Sequence, residues 1–352
     1  MSVPKRILIC PLDWGLGHAT RCIPIIRLLL KKGHAVIIAA GGRPMALLRQ
    51  EFPELQFIVF NGYPITYPAS GAMTFKMLLS APKILAGIKE EHRTLDSIID
   101  KHSIDVVISD NRYGCYSKKV KSIFITHQVM IKAPFGEKLL HKLVLNYIGR
   151  YNECWVPDVA GNDNLSGDLS HKYPLPANTF FIGGLSRFEK QNATSENKYD
   201  VMAVISGPEP QRSIFEKMVL EQLEKTDLKA LVVCGKTENA SGMITKKNIQ
   251  IVNHLKADAF RDAALSSAVI LSRSGYSTIM DLAALNKKAI FIPTPGQTEQ
   301  EYLAKLFMKK GIAFFQEQEE FELLAAMKEN EKYKGFSRVE SEGLLEDRVA
   351  GL

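Results

Sequence analysis

The stretch richest in chemistry is Ser272-Arg273-Ser274-Gly275-Tyr276-Ser277-Thr278-Ile279-Met280-Asp281, which follows the apolar run Ala268 to Leu271. A buried strand that passes through a glycine-containing turn straight into a helix aims several free backbone N–H groups and the positive helix end at one point. That point suits a diphosphate, so Arg273, Ser274, Gly275 and Thr278 are candidate ligands of a phosphorylated molecule. Asp281 falls two turns into the helix, where its carboxylate could accept hydrogen bonds from a vicinal diol such as a ribose. The plainer alternative is that Ser274, Ser277 and Thr278 only cap a helix.

A second group of residues is N-terminal. The apolar run Ile7 to Cys10 leads into Gly15-Leu16-Gly17-His18, after which Ile23, Ile26, Leu29 and Leu30 recur at helical spacing until Gly33. A nicotinamide cofactor would want a third glycine where Thr20 stands and an acid after the second strand, which instead reads Ala39-Ala40-Gly41-Gly42. Those two absences argue against a dehydrogenase. His18 stands at a helix start, which tends to keep imidazole neutral, the form a general base needs. Asp110, at the end of the strand Asp105 to Ser109, could orient His18 or one of its neighbours by accepting an N–H hydrogen bond; an exposed strand-end acid is the alternative. His127 ends the next strand, Ser122 to Thr126. In the second half, Gly207 and Arg212 sit in a strand-to-helix loop that could hold a phosphate, and Glu299 and Gln300 open a helix after Pro293-Thr294-Pro295-Gly296. The chain has no Asp-x-Asp, so charge on a leaving diphosphate falls to helix ends and arginine, with no metal.

The elements that must position these residues follow from length and pattern. A chain of 352 residues favours two domains, and 46% hydrophobic with 24% charged residues is the balance of a globular protein, which excludes disordered and fibrous classes. The net charge of +7 is compatible with phosphorylated substrates or an anionic membrane face and does not choose between them. Cys10, Cys22, Cys115, Cys154 and Cys234 are scattered and odd in number, which argues against a disulfide framework or zinc site and for the cytoplasm. No apolar signal core or membrane-spanning run stands out. Apolar runs alternate with helical patterns from Arg6 onward, predicting right-handed β-α-β units and a parallel sheet. A loop from Asn61 to Gly71 precedes a long helix from Ala72 to about Lys101, broken near Pro82, and a second runs from Phe135 to Tyr151. A polar stretch, 162–197, broken only by the strand-like Thr179 to Ile182, reads as the inter-domain connection. Five strands follow it: Asp200 to Ile205, Lys229 to Cys234, Ile249 to Val252, Ala268 to Leu271 and Ala289 to Ile292. The expected fold is α/β, two doubly wound Rossmann-like domains facing across a cleft, with bounds 1–183 and 184–335 and a C-terminal helix, 336–352, completing the first.

These motifs resemble the GT-B glycosyltransferases, most closely those related to the peptidoglycan N-acetylglucosaminyltransferase MurG. Gly15-Leu16-Gly17-His18 resembles that family's N-terminal glycine-rich loop. Ser272-Arg273-Ser274-Gly275 with Thr278 and Asp281 resembles its Ser-Arg-Ala-Gly signature and the acid that holds the ribose of UDP. Gln300 resembles a glutamine of its donor-sugar loop, and His127 a histidine on its acceptor side. Asp281 stands where that family has Glu, Ser206-Gly207-Pro208-Glu209 replaces a Gly-Gly-Ser type loop, and His127 lacks a following Glu-Gln-Asn run. The resemblance implies a metal-independent, inverting transferase that needs no cofactor. It would use a UDP-linked sugar as donor, His18 as base, and a glycan or lipid-linked hydroxyl as acceptor, with no nucleic-acid partner. Gly15 to Arg21 is also similar to the nucleotide-sugar hydrolase PseG, the alternative activity, and a non-catalytic nucleotide-sugar sensor would need only the C-terminal motifs. Two segments mix bulky apolar residues with basic ones: Met73 to Lys89 (Phe75, Leu78 and Leu79 with Lys76 and Lys83) and Ile131 to Arg150 (Phe135, Leu139, Leu140, Leu143 and Tyr147 with Lys132, Lys138, Lys142 and Arg150). They are either core-facing stripes or a contact with the inner face of an anionic membrane.

Overall fold

The computed structural model describes residues 3–62, 73–133, 135–188, 197–236 and 242–352, and for 73–81 the backbone only. Two compact units form. The first takes the chain to residue 187 and adds 339–352; the second runs 188–338.

The first unit is built from strands β1 (Arg6–Pro11), β2 (Ala35–Ala40), β3 (Gln56–Val59), β4 (Val106–Asp110), β5 (Lys121–Ile125), β6 (Glu153–Val156) and β7 (Thr179–Phe181), joined by helices α1 (Leu16–Lys31), α2 (Gly42–Glu51), α3 (Met73–His102), α4 (Glu137–Ile148) and α5 (Asp168–His171). They form one sheet, β3-β2-β1-β4-β5-β6-β7, parallel throughout. Ile7 to Cys10 and Val106 to Ile108 are wholly buried, as the near-continuous apolar runs of a sheet covered on both faces require. Fully burying each such side chain is worth ~1.5–3 kcal/mol. All carboxyl ends of these parallel strands fall on one edge, and Asp110 and the loop after Pro11 are both there because Pro11 and Asp110 are direct register partners.

The second unit holds β8 (Tyr199–Val204), β9 (Ala230–Val233), β10 (Met243–Lys246), β11 (Ile249–Val252), β12 (Ser267–Ser272), β13 (Ala289–Phe291) and β14 (Phe314–Phe315), with α6 (Gln211–Leu223), α7 (Ala257–Leu265), α8 (Tyr276–Ala284), α9 (Thr298–Lys309) and α10 (Leu323–Asn330). Its sheet order is β10-β11-β9-β8-β12-β13-β14, parallel except for β10. Ser272 is register partner of both Val204 and Phe291, so the loops after β8, β12 and β13 leave the sheet side by side.

Some expectations are corrected. The helix expected to break near Pro82 continues through it, from Met73 to His102. Within the polar stretch 162–197 the expected strand forms as Thr179–Phe181, the edge strand of the first sheet. β10 and β14 join the five expected strands; β10 is an exposed edge and β14 only two residues long, so neither carries a buried apolar run. The segment Asn61 to Gly71, expected as a loop, lies outside the described residues from position 63 on. The last helix, α11 (Leu344–Ala350), packs on the first unit: the Arg348 guanidinium lies over the Phe180 ring at 4.2 Å and Lys121 donates to the Gly351 carbonyl at 3.1 Å. Gly183 makes this crossing possible. Its φ is +79°, and a Cβ there would stand 2.4 Å from that of Ser341.

Candidate active site

In the first unit, α1 begins immediately after Gly15, whose extended backbone leaves the first helical N–H groups without a side-chain cap. Gly17 and His18 lie in that first turn. His18 Nδ1 is 2.7 Å from Asp110 Oδ1 and 3.0 Å from Arg21 Nη2; a carboxylate only accepts, so the shorter contact is a hydrogen bond in the tautomer that carries its proton on Nδ1 and leaves Nε2 its lone pair. His18 is partly exposed, whereas Asp110 is fully buried. Arg21, one turn along the same helix face, donates from Nε to Asp110 Oδ2 and from Nη2 to Oδ1. It also donates from Nη1 to His127 Nδ1 at 2.9 Å. That bond makes His127 Nδ1 an acceptor, which fixes the buried His127 ring with its proton on Nε2. Burial opposes ionisation of Asp110, but the Arg21 guanidinium and the His18 ring outweigh it and hold the carboxyl down to about 2. Burial and the neighbouring Asp110 push the Cys22 thiol up, leaving it an inert packing group.

The structure thus brings together His18, Asp110 and His127, three residues singled out in the sequence, around one that was not, Arg21. Its only sequence signal is the i, i+3 spacing from His18 on an otherwise apolar helix. Elsewhere in the same unit, Val59, Phe60, Asn61, Gly62, Gly87, Glu90, Glu91 and Thr94 line a cavity of about 300 Å³. Arg112, buried on the Phe60 ring at 4.0 Å, forms an ion pair with Glu91 at 2.9 Å there.

In the second unit, Gly275 is the N-cap of α8, again without a side-chain cap. Gly207, at φ +112°, follows β8, and a Cβ placed on it would lie 3.8 Å from Thr294 Oγ1. The hydroxyls of Ser272 and Thr294, both buried, and the half-buried Gln297 Oε1 have no hydrogen-bond partner among the described residues. Two hydroxyls able to donate and one acceptor, orphaned at the end of β12 and in the loop after β13, suit a polar ligand. Thr278 and Asp281 lie on α8, both half-buried, and Glu299 is half-buried on the first turn of α9.

Several expected ligands are committed elsewhere. Arg212 donates from Nε to Glu209 at 2.7 Å and from Nη1 to Glu216 at 2.6 Å, so its charge is matched inside the protein and it is not presented to a phosphate. Arg273 is buried and donates to the carbonyls of Ile292, Pro293 and Gln211 and to Gln318 Oε1; it ties the three loops together from beneath. Ser274 Oγ donates to the Gln300 carbonyl at 2.7 Å, and Gln300 Oε1 accepts from the Thr294 N–H at 2.8 Å, so both shape the loop with the side-chain groups that were expected to meet the donor. Among the described residues no cluster of His, Cys, Asp and Glu could hold a metal ion, and no helix is long and apolar enough to cross a membrane.

Residues 203–334 match the glycosyltransferase family 28 C-terminal domain, and residues 5–127 match glycosyl transferase family 1. A Methanosarcina acetivorans protein described as an uncharacterized glycosyltransferase is 24% identical over 344 residues, covering 87% of this chain and 82% of its own. A Histophilus somni protein, UDP-N-acetylglucosamine--N-acetylmuramyl-(pentapeptide) pyrophosphoryl-undecaprenol N-acetylglucosamine transferase, is 23% identical over 339 residues, covering 92% and 87%. Among solved structures, MurG of Acinetobacter baumannii superposes with a TM-score of 0.57 at 12% identity over 99% of this chain and 100% of that one. The glycotransferase of kitacinnamycin gives 0.62 at 15% identity, over 99% and 94%.

Proposed function

We propose that this chain, a GT-B glycosyltransferase related to MurG, transfers a sugar with inversion from a UDP-linked donor to a hydroxyl acceptor, without a metal. The observation that carries the reading is the His18–Asp110 pair at the amino end of α1. An imidazole whose Nδ1–H is fixed on a buried carboxylate offers Nε2 as a base, and the carboxylate stabilises the imidazolium that forms. In the transfer, Nε2 takes the acceptor hydroxyl proton as that oxygen attacks the anomeric carbon. The bond from carbon to the diphosphate oxygen breaks, and the diphosphate leaves with the electron pair. The amino end of α8, which has no side-chain cap, and the orphaned hydroxyls of Ser272 and Thr294 support a diphosphate seat in the second unit. Asp281, on α8, is assigned to the ribose.

The acceptor is proposed to be lipid-linked, reached from an anionic membrane surface. α4 buries Val144 and Ile148 and turns Leu139 and Leu143, which are 65% and 48% exposed, outward beside the exposed Lys138 and Lys142, and Phe135, just before the helix, is 86% exposed. Apolar anchors ringed by lysines suit an anionic interface, at about 1 kcal/mol per lysine. Part of the sequence expectation does not enter this surface. Leu140 and Tyr147 are half-buried, Lys132 is paired with Asp168 at 2.8 Å, and the side chains of Phe75, Lys76, Leu78 and Leu79 lie outside the described residues.

The test is NMR analysis of UDP-sugar turnover by wild type and His18→Ala, with and without acceptor lipids. A base lost only in the transition state should lower kcat by ~10² to 10⁴ and leave UDP affinity nearly unchanged. Wild-type kcat in the variant would remove His18 from the mechanism. Sugar release at full rate without acceptor would identify a hydrolase.

A further inference from the structure

Four arginines are buried among the described residues: Arg21, Arg112, Arg212 and Arg273. The first three each face a carboxylate, Asp110, Glu91 and the pair Glu209 with Glu216. Arg273 does not. Its four hydrogen-bond acceptors are neutral, three main-chain carbonyls and the Gln318 amide oxygen at 2.6 Å; its Nε is buried without a partner among the described residues, and the guanidinium lies over the Phe215 ring at 4.2 Å. Burial with no acid to offset it pulls the group down to about 9, so it is still a cation at neutral pH.

A guanidinium is a costly way to tie three loops together. Desolvating an unpaired ion costs several kcal/mol, and a neutral amide could reach carbonyls without that cost. Arg273 follows the orphaned Ser272 in the turn before the amino end of α8, and its guanidinium holds the Pro293 carbonyl next to the orphaned Thr294. We propose that Arg273 is a positioning residue whose uncompensated charge is matched, through space and without contact, by the diphosphate of the bound nucleotide. The inference rests on the nucleotide-sugar reading above and specifies how the site meets anionic charge once Arg212 is committed to its own carboxylates.

The charge can be neutralised in place. Gln318→Glu sets a carboxylate against Arg273 Nη2, and a turn of the Gln211 amide offers its NH₂ to the oxygen that replaces the Gln318 Nε2 donor; Arg273→Met removes the charge outright. At an effective dielectric of ~20, a unit charge on the order of 8 Å from a phosphate changes affinity about 30-fold. Calorimetry with UDP and saturation-transfer NMR with uridine should therefore give, for Gln318→Glu, UDP binding weakened tenfold or more, a flatter dependence on KCl, and uridine binding unchanged. Arg273→Met should repeat the pattern if it folds. Wild-type UDP affinity in folded Gln318→Glu, or equal losses for UDP and uridine, would overturn the proposal and leave the enzyme reading intact. A wild-type protein that binds neither ligand would overturn both.

Discussion

Arg21 and Asp110 should behave as one unit in a double-mutant cycle. Asp110 accepts from Arg21 Nε, Arg21 Nη2 and His18 Nδ1, and neither member of the ion pair is solvent-exposed. Asp110→Asn leaves the Arg21 guanidinium buried without a counter-charge, which costs about 3–5 kcal/mol, and Arg21→Met leaves a buried carboxylate in the same position. The double variant contains neither charge, so its loss should fall short of the sum by on the order of 2–3 kcal/mol. Both tryptophans, Trp14 and the fully buried Trp155, lie in the first unit, so fluorescence in urea reads that unit alone. Turnover adds an independent reading. In Asp110→Asn the amide can donate to His18 Nδ1 and favour the wrong tautomer, a change that lowers kcat by ~10⁴ in a serine-protease triad. Additive stability losses, with a coupling under ~0.5 kcal/mol, would refute the pairing; wild-type kcat in Asp110→Asn would refute its role in orienting the base.

Three further outcomes are expected. Asp281→Ala should weaken UDP tenfold or more and leave the 2′,3′-dideoxy analogue nearly unaffected, because a hydrogen bond to a charged group is worth ~1.5–3 kcal/mol and only UDP offers the hydroxyls; equal losses in calorimetry would assign Asp281 to the helix. Co-sedimentation should find binding to anionic but not neutral vesicles, reduced by salt and by Lys138→Glu with Lys142→Glu, and no binding to anionic vesicles at low salt would point to an acceptor in solution. Asp110 is held at about 2, below the ~3.9 of an unfolded aspartate, so it stabilises the fold above about pH 4 and that contribution fades as pH falls toward 2. Burial raises Glu91, which works in the opposite direction. Asp110→Asn should therefore flatten the acid limb of the fluorescence-monitored stability curve below pH 4, and an unchanged slope would count against the cause assigned here.

Local pattern determined much of this protein. Buried parallel strands need apolar runs, and strand-to-helix junctions need glycine and short polar residues, so β1 into α1 and β12 into α8 could be read directly from Ile7 to His18 and from Ala268 to Asp281. Parallel pairing also sends all strand ends to one edge, which is why His18, Asp110 and His127 could be grouped by topology alone. Charge pairing was beyond the sequence. An arginine near a glycine-rich loop looks the same whether it faces a ligand, a carboxylate or a ring of carbonyls. Arg212 is the exception, since Glu209 and Glu216 are its i−3 and i+4 neighbours at helical spacing, whereas only the approach of three loops closed neutral oxygens around Arg273. Arg21 went unassigned for the same reason. The carboxylate it holds lies 89 residues away along the chain, and the two meet because β1 and β4 are neighbours in the sheet.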